Sequence, residues 1–128
     1  MRSKNRKKTT FIMLRQKDQE KIVSDLINLV KNTLQEGYKN RKGQSVEKVE
    51  NVNILEYKID EENDDRDKVI ITKVQSVARV IVRFGHDATT NDEISLRNDK
   101  VIEFVYNKEI DNFEIQNDSS EFYNNSAH

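Results

Sequence analysis

The chain has 128 residues and a formal charge of −1, with 34% apolar and 35% charged side chains. That length suits one domain. The absence of cysteine excludes a disulfide framework, a thiol nucleophile and cysteine-bound zinc.

Charge is graded along the chain. Residues 1–48 carry 13 basic and 5 acidic side chains, whereas residues 84–128 carry 3 and 10. Residues 1–9 read as a flexible basic arm in which Arg2, Lys4, Arg6, Lys7 and Lys8 could meet an anionic surface. Lipid and nucleic acid are both open as that surface, although no aromatic side chain is interleaved to stack on bases. A solvated tail is the preferred account of the charge. No apolar stretch as long as a signal-peptide h-region follows the arm, so it is not read as a secretory signal, and no apolar run is long enough to span a membrane. The expected location is cytoplasmic, at most at the membrane periphery.

Residues 10–116 are expected to form one domain. Phe11, Ile12, Met13 and Leu14 make the first apolar cluster, behind Thr9 and Thr10 as caps. Ile22, Val23, Leu26, Ile27, Val30 and Leu34 then recur every three or four residues, which predicts an amphipathic helix over about 17–36. Gly37 is expected to end it with a positive φ.

Beyond a polar linker the period changes to two. Val52 and Ile54 share one phase, and Leu55, Tyr57 and Ile59 take the other, which predicts a β-bulge between Ile54 and Leu55. The octet Asp60–Asp67 is a hydrophilic connection. Residues 68–84 form the longest predicted strand. Ile70, Val74, Ala78, Val80, Val82 and Phe84 line one face, and the other mixes Val69, Ile71, Val77 and Ile81 with Lys73, Arg79 and Arg83. Such a length is expected to bend or break near Gln75–Ser76. Gly85–Asp92 reads as a loop, Arg97–Lys100 as a hairpin turn between Leu96 and Val101, and Asp111-Asn112 as a turn into a strand at Phe113–Ile115. Residues 117–128, rich in Asn and Ser, are expected to be a disordered tail. The predicted class is therefore α+β, an amphipathic helix packed on a curved antiparallel sheet.

Few constellations carry chemistry. Asp60, Glu62 and Asp64 alternate like calcium-loop ligands, but Asp65 stands where that loop needs glycine and Ile71 where it needs a bidentate Glu. Gly85-His86-Asp87 sets an imidazole beside a carboxylate, and acid–base catalysis would need His86 in a sheet concavity with a carboxylate such as Glu103 opposite. No phosphate loop, nucleophile elbow or metal cluster is visible, so neither a cofactor nor a metal is expected. A binding module is preferred to an enzyme.

The runs "LQEGYKNRKGQSVEKVENVNILEYKID", "DKVIITKVQSVARVIVRF" and "DKVIEFVYNKEIDNFEI" resemble the later part of import-motor anchor domains of the inner-membrane translocase and their bacterial homologues. Assembly components of conjugative secretion systems look similar at the same level. The resemblance implies the cone-shaped fold of nuclear transport factor two and a non-enzymatic scaffold attached at a membrane, whose concave sheet receives a protein or an apolar ligand.

The residues themselves point to one contact surface. Val77 and Ile81 share a strand face with Arg79 and Arg83, and guanidinium groups among aliphatic side chains suit a protein interface. The partner could be a second copy or another subunit. Cover from within the monomer, by loops or the 10–16 turn, is the competing explanation.

Overall fold

The computed structural model describes residues 14–38, 43, 45–60, 67–84, 88–116 and 122–124. The basic side chains Arg2, Lys4, Arg6, Lys7 and Lys8 lie outside the described residues, as do His86 and residues 61–66 of the acidic octet.

Helix α1 spans Gln16–Gly37, close to its predicted bounds, and buries Ile22, Leu26, Val30 and Leu34 in one stripe, with Ile27 half-buried beside them. Arg15 occupies the cap position, where its side chain has no oxygen to offer the first turn. Asp18 serves the cap instead, accepting the Arg15 backbone N–H at 3.3 Å and its guanidinium at 2.9 and 3.1 Å. The expectation for Gly37 is corrected. It stays helical, and the chain leaves through Tyr38 in an extended conformation (φ −76°, ψ 133°), with the Tyr38 ring packed against the core. Among the described glycines, the one with a positive φ is Gly43, at 84°.

The sheet contains β1 (Ser45–Ile59), β2 (Lys68–Phe84), β3 (Ala88–Asn98), β4 (Ile102–Asn107), β5 (Asn112–Ile115) and β6 (Tyr123–Asn124). Its order is β5–β4–β2–β3–β6, with β1 on the other side of β2. Helix α1 packs on β1 and on β5, which flank β2 and β4. A curved sheet with the helix against one face is the predicted α+β class.

Irregularities in pairing set the curvature. Strand β1 carries an extra residue at Glu47, Glu50 and Leu55, each a bulge against β2. Inward positions on β1 are therefore Val46, Val49, Val52, Ile54, Tyr57 and Ile59, often three apart instead of two. The predicted bulge after Ile54 is present, and Leu55 is its extra residue, 63% exposed, rather than a companion of Tyr57. Strand β2 runs unbroken to Phe84. Its extra residue is Thr72, so the inward phase switches there: Val69 and Ile71 enter the core below it, and Val74, Ala78, Val80 and Val82 above it. This corrects the expected grouping of Ile70 with Val74, and moves the expected bend from Gln75–Ser76 to Thr72.

The expected hairpin at Arg97–Lys100 is also absent. Strands β3 and β4 both run antiparallel to β2 along its same side, β3 opposite residues 74–84 and β4 opposite 68–71. Three residues, Asp99–Val101, span the gap opposite Thr72 and Lys73. Asn98 is fully buried at this point. Its Nδ2 donates to the Lys100 carbonyl at 2.9 Å, and its Oδ1 accepts the Lys100 N–H at 3.4 Å, so the side chain replaces the partners that the bulge removes.

Two further expectations change. Strand β3 begins at Ala88 rather than beyond Asp92, because β2 extends far enough to pair with Thr89, Thr90 and Asn91. Within the expected tail, Phe122 is buried in the core, and Tyr123-Asn124 pair with Leu96 and Arg97. The turn at Asp111 forms as predicted, with φ 52°.

Candidate outer-face cleft

The curved sheet has one face toward α1 and one away from it. On the outward face, the Thr72 bulge on β2 and the Asp99–Val101 gap between β3 and β4 fall at one level, and the Leu55 bulge on β1 lies about three residues further along, beside Gln75 and Ser76. A cleft of about 400 Å³ lies there, lined by Glu56 and Lys58 from β1, Lys73 and Gln75 from β2, and Arg97 and Asp99 at the end of β3.

Register places these side chains in two rows. Glu56, Gln75 and Arg97 are directly paired across three strands, and Lys58 is paired with Lys73 in the next row. The Thr72 hydroxyl donates to the Lys58 carbonyl at 3.4 Å, tying β1 to the bulge. Arg97 is matched by Asp99 at 3.3 Å. Lys58 and Lys73 make no ion pair with a described residue. Like charges directly opposite on paired strands destabilise the sheet, because their Cβ atoms sit only about 4.5–5.5 Å apart.

The residues singled out from sequence continue this face along β2. Arg79 pairs with Glu93 across to β3 at 3.7 Å, and Arg83 makes a two-point pair with Glu47 of β1 at 2.9 and 3.2 Å. Val77 and Ile81 alternate with them along β2, half-buried. The four side chains therefore share one surface, and both arginines already have partners within the chain.

Glu103 lies opposite Ile70 and forms an ion pair with Lys68 at 3.8 Å. His86, the other half of the acid–base reading, lies outside the described residues. Among the described residues, no group of three His, Asp or Glu side chains could hold a metal ion. No described helix is long and apolar enough to cross a membrane.

Sequence reasoning noted Lys73 on the outward face but missed Lys58, Arg97 and Asp99 as its neighbours. No family model, curated protein or solved structure matches the chain.

Proposed function

We propose that the protein is a binding module of a larger assembly, and that its contact surface is the outward face of β1, β2 and β3. The observation that carries this reading is the placement of Val77 and Ile81. They sit on the face opposite α1, among arginines whose charges are matched by Glu93 and Glu47. Matched guanidinium groups around aliphatic side chains lower the cost of desolvating a surface, which suits a protein partner better than solvent alone. The resemblance to import-motor anchor domains supports a finer reading, a scaffold component of a translocation or secretion machinery. The basic residues Arg2, Lys4, Arg6, Lys7 and Lys8 then favour a place beside an anionic membrane.

Affinity capture from the native cell tests the surface. Wild type is compared with Arg79→Glu/Arg83→Glu and with Val77→Ser/Ile81→Ser, which leaves the ion pairs intact. Selective loss of the same protein from both variants, with unchanged circular dichroism, supports the reading. Identical captured proteins for all three chains overturn it.

A further inference from the structure

We propose that Lys58 and Lys73 form the seat for a carboxylate of an extended acidic segment of the partner protein, an inference that rests on the binding-module reading and names its partner's chemistry. Three observations converge. The two lysines are directly opposed across β1 and β2, an arrangement that costs stability unless an anion lies between them. The other cation of the cleft, Arg97, already has Asp99, so the unmatched positive charge is confined to this pair. The cleft of about 400 Å³ is open to solvent-borne ligands and is the size of a few side chains.

The chemistry of the rim decides among anions. A carboxylate has two oxygens, enough to accept from both ammonium groups at once. Gln75, in the next row, has both a donor and an acceptor for the backbone of an extended peptide. Glu56 and Asp99 stand on the same rim and would repel the closely spaced phosphates of a nucleic acid or the dense headgroups of an anionic bilayer. An extended peptide brings its carboxylates to one side only at every second residue, about 7 Å apart, so one can enter between the lysines while its neighbours clear the rim acids. Exposed Leu55, at the bulge beside Glu56, provides apolar contact for an intervening side chain.

The test uses the full chain at low salt and a labelled peptide of alternating Glu and Ser, with a Gln-for-Glu peptide as control. Fluorescence anisotropy is expected to show the Glu peptide binding at least about tenfold more tightly than its control, about 1.4 kcal/mol shared between two charge-assisted contacts. Lys58→Gln/Lys73→Gln is expected to abolish that preference while its melting temperature holds or rises, because the repulsion is relieved. Equal affinity for the two peptides overturns the proposal, and so does undiminished preference in the variant. Binding of phosphatidylserine vesicles that depends on the two lysines, without binding of the peptide, also overturns it by assigning the site to lipid. Capture from the native cell separates the two readings. If Arg79→Glu/Arg83→Glu loses a partner that Lys58→Gln/Lys73→Gln keeps, the acidic-segment proposal falls and the binding module stands.

Discussion

Arg15 and Asp111, ninety-six residues apart, are joined by a two-point ion pair in which Nη1 donates to Oδ2 at 3.2 Å and Nη2 to Oδ1 at 2.9 Å. Lys17 adds a third contact at 2.9 Å, and the Tyr106 hydroxyl donates to the same carboxylate. The Arg15 guanidinium also lies 5.9 Å from the centre of the Tyr106 ring, which meets Phe113 edge-on at 5.6 Å. The start of α1 is thereby fastened to the β4–β5 turn. These groups are all partly in water, so geometry rather than charge count gives the cluster its weight.

The Asp111 carboxyl is held well below the usual carboxylate range, first by Arg15, then by Tyr106 and Lys17. A depressed folded value means that the carboxylate adds stability above its unfolded value and loses it as pH falls toward the folded one. Asp111→Asn removes the charge and keeps a residue that tolerates φ 52°. The urea midpoint of the wild type is expected to exceed that of the variant at neutral pH. The gap is expected to close as pH is lowered from about 5 toward 2. A gap independent of pH would sink the assignment.

Two phenols are expected to titrate late. The Tyr106 hydroxyl is raised above its ordinary value by its hydrogen bond to Asp111 and then by desolvation, and Tyr57 is raised by burial. Each adds stability that is present below the unfolded value, near 10, and is lost as pH rises through the folded one. Ultraviolet titration should lose one late component in Tyr57→Phe and another in Tyr106→Phe. In Asp111→Asn, the Tyr106 component is expected to move toward the ordinary range.

Asn98→Ala leaves the Lys100 N–H and carbonyl without the side-chain partners that close the β3–β4 bulge. Loss of buried hydrogen bonds predicts a cost of about 1–3 kcal/mol, read from urea unfolding. A change below a few tenths would mean that water replaces the amide freely.

Ser76 points into the core between Ile54 and Leu96, and its hydroxyl has no hydrogen-bond partner. Ser76→Ala removes a desolvated polar atom without opening a large cavity, so the variant is expected to gain about 1 kcal/mol. Calorimetry should show the melting temperature rising by roughly 3–6 °C for a chain of this size. A lower melting temperature would reveal a partner for the hydroxyl.

Phe122 offers the sharpest contrast with its local sequence. It lies among Asn, Ser and Glu, yet it is buried against the core beside β6. Phe122→Ala is expected to cost about 3 kcal/mol, whereas a disordered tail would make the change neutral.

Sequence patterning revealed most of the fold where one element faces one core. The stripe from Ile22 to Leu34 and the alternation from Val74 to Val82 each follow a single period, and each is buried as that period predicts. Leu55 revealed its bulge because an apolar residue broke the phase. Thr72 did not, because Val69, Ile70 and Ile71 are all apolar and fit either phase. The Lys58–Lys73 pair was illegible for a related reason. Extended without bulges, the register that starts at Ser45–Arg83 would set Lys58 opposite Ile70. The extra residues at Glu47, Glu50 and Leu55 shift it to Lys73, and two of those three are charged residues that leave no trace in hydropathy. Phe122 was hidden because its partners are supplied by distant strands, not by its polar neighbours.

The same three insertions bear on how this chain behaves in a crowd. Among the described residues β1 pairs only with β2, and an unpaired strand edge invites any extended chain that could align with its backbone groups. Such alignment needs donors and acceptors at an even spacing over many residues. The insertions at Glu47, Glu50 and Leu55 interrupt that spacing every few residues, and the glutamates put negative charge at two of the breaks. A growing cross-β stack would find no run of β1 long and regular enough to copy, so the strand that curves the sheet also guards the native protein against templated aggregation.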